Sequence, residues 1–379
     1  MIAEQPIVLF AKGFPPTPGG VEQYSQQVAL AYQRAGFDVY VITQTEGPAG
    51  WRSTASAPGP RVYNVGAGGQ LSAFFKMMRA YARLPKALRE APTHATTWRV
   101  ATVPYLAAPG ATRVITVHGR EILNHPRGVG GLMRRIITRS DLVMAVSSAT
   151  RDLGASAGMA QASESWQVSY NGVSWGSESA SRTVWFDGQR PLRILSLSRL
   201  VPRKNHISAL QALRLLRDET GREFVYRIAG TGNQRARLEE EVARLGLSDR
   251  VEFLGYVDDD DVPELYKWAD VFLHPHTNEG EGNDFEGFGL VIADSMLFGC
   301  VAVSGLAGGP AELIDSGVDG LLVDGGDVEE LAATLKRIVG DPALVRRIGE
   351  RAQHKASERF SWDEHILPVR ALLAAGGTR

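Results

Sequence analysis

The chain has 379 residues, 44% of them hydrophobic and 22% charged, with a formal net charge of -1. That length predicts roughly two domains. The ordinary composition excludes collagen-like and disordered classes, and the single cysteine, Cys300, excludes an internal disulfide framework. No run approaches the ~18 apolar residues of a membrane span. The opening "MIAEQPIVLFAKGFPP" lacks the basic stretch of a leader, so a cytoplasmic protein is expected. The charge is uneven: residues 1–190 hold 19 Lys and Arg against 11 Asp and Glu, and the remainder hold 22 against 31. This split suggests two domains with different electrostatic partners.

In chain order, the apolar run "PIVLFA" ends at the turn "KGFPPTPGG", a helical pattern runs from Val21 to Gly36, and the β-branched "DVYVIT" follows. Strand, glycine turn, helix and strand read as a parallel α/β unit. The alternation continues through "RVITVHG", "DLVMAVS" and "SSATRDL", where a serine can cap the helix. Residues 170–191 are rich in Ser and Gly, and an interdomain linker is expected at 176–191. The pattern restarts with the strand "LRILSLS" and the helix "ISALQALRLLRDE". Further strands are "FVYRIAG", "RVEFLG", "DVFLHP", "CVAVSG" and "DGLLVD". Helices between and after them are "QRARLEEEVARLG", "VPELYKWA", "GLVIADSMLFG", "PAELIDSG" and "VEELAATLKRIVG". The expected class is α/β, as two Rossmann-like, doubly wound domains covering 1–175 and 192–360. A C-terminal helix at 361–379 is expected to pack back onto the first.

In such sheets, ligands bind beyond the C-terminal ends of the strands, near helix N-termini. Four stretches fall there. Gly19 and Gly20 follow the first strand and let backbone N–H groups approach an anion, although the turn is not G-x-G-x-x-G. Arg199, Arg203 and Lys204 in "LSLSRLVPRKNH" precede a helix, where two cations can neutralise a diphosphate. In "DFEGFGLVIADSMLFG", Glu286 can accept from hydroxyls, and Gly287, Phe288, Gly289 and Leu290 open a helix. Asp294 interrupts that helix's apolar face, so it is either one half of a buried Asp–Arg pair or the holder of two ribose hydroxyls. His118 follows the strand of "VITVHGREI" and can donate or accept near neutral pH. His274 and His276 lie close to several acids, but their spacing matches no strong ligand pattern, and no metal is expected.

In this order, "PGGVE", "VHG", "YNGVS", "SRLVPRKN", "IAGTGN", "FLGYV", "EGFGLVIAD" and "GGPAELI" resemble the retaining family-4 glycosyltransferases with the GT-B fold. The resemblance is strongest from about 192 to 330 and weaker over 45–110. It implies two Rossmann-like domains facing each other across a cleft. The donor, a nucleotide-diphosphate sugar, would sit mainly on the C-terminal domain, and a saccharide or lipid-linked acceptor on the other. By the same resemblance, Arg199 and Lys204 bind the diphosphate, and Glu286 meets the donor sugar. Gly287, Phe288, Gly289 and Leu290 line the sugar–phosphate site, and Gly19 and Gly20 approach the phosphates. His118 lies near the anomeric centre, and Gly230, Tyr256 and Val257 belong to the nucleotide site. Asp294 stands where the family usually has Glu, shorter by one C–C bond of about 1.5 Å.

The resemblance further implies front-face transfer of a hexose without metal or other cofactor, in polysaccharide or glycolipid biosynthesis. Two other functions stay open: a catalytically weak sugar-nucleotide-binding protein, motivated by Asp294, and a sugar-nucleotide epimerase of the same fold. No nucleic-acid partner is expected. Residues 71–90 carry Lys76, Arg79, Arg83, Lys86 and Arg89 among Phe, Met, Leu and Tyr. Their three- and four-residue steps suggest either peripheral contact with anionic lipid at the inner membrane face or an ordinary amphipathic helix interrupted by Pro85.

Overall fold

The computed structural model describes residues 5–17, 19–52, 59–123, 125–159, 165–277 and 285–376. The chain forms two units, Met1–Gly172 with Ser361–Arg379, and Val173–Phe360.

In the first unit the strands are β1 (Gln5–Ala11), β2 (Phe37–Thr43), β3 (Gly50–Arg52), β4 (Arg61–Asn64), β5 (Thr93–Ala95), β6 (Arg113–Val117), β7 (Leu142–Ala145) and β8 (Trp166–Val168). Their order is β3-β4-β2-β1-β5-β6-β7-β8, and only β3 runs antiparallel to its neighbour. Central strands of a parallel sheet are covered on both faces and read as unbroken apolar runs. Accordingly, Ile7 through Ala11 have no exposed surface. Connections run one way from β1 to β2 and the other way from β5 to β7. With right-handed crossovers this puts helix Gly20–Arg34 on one face and helices Gln70–Ala82, Trp98–Ala107 and Arg127–Thr138 on the other.

The second unit has β9 (Leu192–Leu197), β10 (Phe224–Ala229), β11 (Val251–Gly255), β12 (Val271–His274), β13 (Val301–Gly305) and β14 (Leu321–Val323). All pairings are parallel, in the order β11-β10-β9-β12-β13-β14. The order reverses between β9 and β12, which places a crevice at their C-terminal ends. Helix His206–Thr220 covers this sheet with Ala209, Leu210, Leu213 and Leu216, all fully buried at helical spacing.

Residues 176–191, expected to be a linker, instead pack into the second unit. Ala180 and Phe186 are buried. The Arg182 guanidinium donates to the carbonyls of Phe298 (2.9 Å), Tyr266 (3.0 Å) and Ala269 (2.6 Å). Ser/Gly-rich composition describes the backbone of this stretch correctly. It hides the one long side chain that ties the segment to a helix end and a strand start. The C-terminal residues 361–376 belong to the first unit. There His365 Nε2 meets the Tyr24 hydroxyl at 2.8 Å, and the Arg34 guanidinium holds the Asp363 carboxylate at 2.8 Å. A Cβ on Gly172 would lie 2.4 Å from the Trp362 nitrogen, so this approach requires glycine. Residues 377–379 lie outside the described residues.

Candidate functional site

In the second unit the crevice is built by three segments. After β9 the chain turns through a short 3-10 helix, Pro202–Lys204, which delivers two cations to the strand ends. Lys204 is only 6% exposed and Arg203 7%. The second is the end of β12, which brings His274, and the third is the glycine turn before helix Leu290–Leu297, which supplies Glu286. Lys204 Nζ donates to Glu286 Oε2 at 2.7 Å, and the Arg203 guanidinium donates to the same oxygen. Backbone bonds lock the frame: Gly309 N–H donates to the Glu286 carbonyl (3.0 Å), and Thr277 N–H to the Arg203 carbonyl (3.0 Å).

The electrostatics follow from this packing. Burial alone would raise the Glu286 carboxyl, but the Lys204 and Arg203 charges hold it well below the usual range. Burial pushes the Lys204 amine down to about 8, against the pull of Glu286 and with Arg203 and Arg199 adding to the fall. A lysine ammonium has three N–H donors. Glu286 takes one, and His274 Nε2, at 3.0 Å, takes a second. Arg199 stands two residues beyond β9 and is exposed. The first N–H groups of helix Leu290–Leu297 have no partner within the helix, and its dipole favours an anion. Gly289 caps this helix at φ 90°, where a side chain is strained.

Asp294 is 2% exposed and has both oxygens engaged. Its partners are the Ser174 N–H (2.7 Å) and the Ser174 hydroxyl (2.9 Å). Burial pushes its carboxyl up to about 7, against these two bonds. Within the chain its partner is therefore not an arginine but a serine of "YNGVS". Phe288 is buried edge-on against Phe360. Gly287 and Leu290 are half-buried beside it, Tyr256 is 56% exposed, and Val257 is half-buried beyond β11. Gly230 ends β10 so close to β9 that a Cβ would lie 1.9 Å from the Ser198 carbonyl oxygen. That glycine is needed by the sheet itself.

In the first unit His118 follows β6. Its Nε2–H donates to the Thr96 carbonyl (2.9 Å), which leaves Nδ1 as an acceptor. The ring stands edge-on to Tyr24, 4.7 Å between centroids. Tyr24 lies one turn into the helix that Gly19 caps, so His118 and the Gly19–Gly20 turn gather at one edge of the sheet. A Cβ on Gly20 would meet nothing within 4 Å. Below them runs a buried polar chain: His365 to Tyr24 (2.8 Å), Tyr24 to Thr116 (2.7 Å), Thr116 to His94 (2.8 Å) and His94 to Tyr32 (2.8 Å).

The structure thus joins Lys204 and Glu286 in one cluster, sets Asp294 against Ser174, and gathers His118 with the glycine turn. Sequence reasoning passed over His274 as a member of the ion cluster, Arg203 as a partner of Glu286, and Ser174. The available signals were the strand-end position of His274 and the appearance of Ser174 in a motif. Among the described residues, no group of three or more His, Cys, Asp or Glu is placed to hold a metal ion. Glu279, Glu281 and Asp284, the acids near His276, lie outside the described residues.

The family model for glycosyl transferases group 1 matches residues 180–355, and that for glycosyltransferase family 4 matches residues 18–174. The chain is 30% identical over 376 residues to the GDP-mannose-dependent alpha-(1-6)-phosphatidylinositol monomannoside mannosyltransferase of Mycobacterium tuberculosis, spanning 94% of this chain and 95% of that protein. It is 34% identical over 149 residues to the 2-deoxystreptamine glucosyltransferase of Streptomyces kanamyceticus, 39% of this chain and 36% of that one. Among solved structures, the sucrose-phosphate synthase of Thermosynechococcus elongatus superposes with a TM-score of 0.81 at 19% identity, over 99% of this chain and 100% of that one. Anabaena HepE in complex with UDP and glucose superposes with a TM-score of 0.75 at 24% identity, over 98% and 100%.

Proposed function

Because the chain belongs to the family-4 glycosyltransferases and has their GT-B fold, we propose that it transfers a hexose, with retention, from a nucleotide-diphosphate sugar to a hydroxyl of a saccharide or lipid-linked glycan. The observation that carries this reading is the buried Lys204 ammonium at the β9–β12 crevice. Glu286 and His274 occupy two of its three N–H groups. A third N–H, the exposed Arg199 and a helix N-terminus together suit a diphosphate. These cations would stabilise the charge that develops on the leaving diphosphate, so the reaction in this reading needs no metal. Glu286 would accept from donor sugar hydroxyls, Asp294 would serve the ribose, and Tyr256 and Val257 the base. His118, through Nδ1, and the Gly19–Gly20 turn would serve the sugar and the phosphates. The acceptor oxygen bonds to the anomeric carbon as the bond to the leaving phosphate breaks. The phosphate oxygen takes the acceptor proton.

The relatives leave the base open, since one is named for GDP-mannose and a structural neighbour was solved with UDP. The test is product analysis with GDP-mannose, UDP-glucose and ADP-glucose. One sugar nucleotide should give a product that keeps the anomeric configuration and forms equally well in EDTA. Lys204→Met should lower kcat by about 10²–10³. Inversion, dependence on a divalent ion or full activity of K204M would overturn the assignment.

The acceptor side supports a lipid-linked substrate. Helices Gln70–Ala82, Trp98–Ala107 and Arg127–Thr138 pack side by side and contain no Asp or Glu. They expose Leu71, Phe75, Leu106, Val129 and Leu132. Lys76, Arg79, Arg134 and Arg135 are exposed on the same helices, and Arg83, Lys86 and Arg89 just beyond the first. The helix expected over 71–90 stops at Ala82, ahead of Pro85. No helix among the described residues is long and apolar enough to cross a membrane. Peripheral contact with anionic lipid at the inner membrane face fits this layer. Vesicles containing phosphatidylglycerol should bind the protein, and raising the salt should release it. Equal binding to pure phosphatidylcholine would contradict the electrostatic basis.

A further inference from the structure

His274 ends β12 with its ring 2% exposed, and nothing in the transfer chemistry above uses it directly. Its Nε2 lies 3.0 Å from Lys204 Nζ. An ammonium only donates, so Nε2 must be the accepting atom and the ring proton sits on Nδ1. Two neighbours fix the ring. Phe272 lies nearly parallel to it at 6.0 Å and 12°, and the His276 ring lies 5.2 Å away. His276 is held in turn by donating Nε2–H to the Ala307 carbonyl at 2.6 Å. The charged and titratable groups around Lys204 are Glu286, Arg203, Arg199, His274, His206 and His276.

Removing the imidazole acceptor would leave Glu286 as the partner of the ammonium among these groups. The ammonium, already 2.7 Å from Glu286, can then turn a further N–H to that carboxylate, since each is the other's compensation. We propose that His274 is a positioning residue for donor binding: by accepting one Lys204 N–H it keeps the ammonium from folding wholly onto Glu286 and leaves its third N–H for a diphosphate oxygen. This rests on the reading that Lys204 meets the donor diphosphate. It adds a requirement for a neutral acceptor at the end of β12. Burial, with Lys204 next, holds His274 well below the ordinary histidine range, so the ring remains an acceptor at neutral pH. The Lys204 amine, brought down to about 8, still carries its proton there.

The test uses the full chain and titrates GDP, UDP and ADP calorimetrically from pH 6 to 9.5. Wild-type affinity for the preferred diphosphate should fall as the pH rises through about 8, where Lys204 loses its proton. His274→Phe keeps an aromatic ring but removes the acceptor. It should weaken binding about tenfold at pH 7, the worth of one hydrogen bond to a charged group. It should also move the alkaline fall, because the partners of the charged amine have changed. His274→Gln places a carbonyl oxygen near the former Nε2 and should restore both the affinity and the position of the fall. Packing damage alone would not shift that fall. Should H274F fail to fold, His274→Asn decides: its shorter amide does not reach Lys204, and it should behave as the phenylalanine variant was expected to.

Wild-type affinity and an unmoved alkaline fall in H274F or H274N would overturn the role of His274 while leaving the glycosyl-transfer reading standing. So would a glutamine variant as weak as the phenylalanine one. If wild type binds none of the three diphosphates, the donor reading fails and this proposal fails with it.

Discussion

Glu286 and Asp294 stand eight residues apart on one turn and helix, and their environments push them in opposite directions. Glu286 has two cations on one oxygen and stays ionised. Asp294 has a serine N–H and hydroxyl for partners, and burial lifts it to about 7. The two carboxylates are therefore fitted to different tasks. Glu286 is a permanent anion that can accept from sugar hydroxyls, whereas Asp294 changes charge close to neutrality. Asp294→Glu adds a methylene where Ser174 already fills both oxygens, so turnover should remain within about tenfold of the parent. Steady-state donor consumption checks this. A gain of a hundredfold or more would favour the reading of a lapsed, weakly catalytic binding protein. The carboxylate in an apolar helix was legible in the sequence as a buried acid needing a partner. Its partner was not, because Ser174 lies 120 residues away and no local spacing links them.

At the scale of elements, periodicity finds what is long and regular. Helix His206–Thr220 and strands β9 and β10 announce themselves by 3.6-residue spacing or β-branched runs. The segment 45–110 does not. Its strands β3 and β5 have three residues each, too few for an alternation to register, and β5 buries polar Thr93 and His94. The stretch 176–191 misleads in the other direction, since its composition says loop while Arg182 makes it part of the second unit. Arg182→Ala should expose that contribution by taking the guanidinium from three buried carbonyls, of which those of Tyr266 and Ala269 keep only the weak Cys300 thiol donor. A loss of about 2–5 kcal/mol is expected, as for other broken buried networks. Urea unfolding followed by circular dichroism reads it. A change below about 0.5 kcal/mol would mean the segment is only draped over the unit.

For the whole molecule, buried histidines couple stability to pH. Burial pushes His94 down to about 3 and His365 down to about 4 in the first unit, and His206 down to about 4 in the second. In the unfolded chain these groups titrate near 6.5. Between that value and the folded ones the unfolded state holds more protons, so stability falls as the pH drops below about 6.5 and levels off near 3 to 4. Asp294 works against this trend, since its raised carboxyl favours the folded state as the pH falls below 7. Thermal melts should show Tm decreasing from pH 7 to pH 4.5. His94→Gln should flatten that slope by up to about 1.4 kcal/mol per pH unit, even though it starts from a lower Tm. A parallel slope in the variant would remove His94 from the account. By itself, the sequence determined the α/β alternation, the division into two doubly wound sheets and the placing of Lys204, Glu286 and His118 beyond strand ends. All of these follow from local periodicity and turn chemistry. Only the tertiary structure decided which charges meet: Lys204 with Glu286 and His274, Asp294 with Ser174, and Arg182 with three carbonyls. Those pairings join residues 70 to 120 positions apart. They are set by how strands order within a sheet, which local spacing along the chain does not encode.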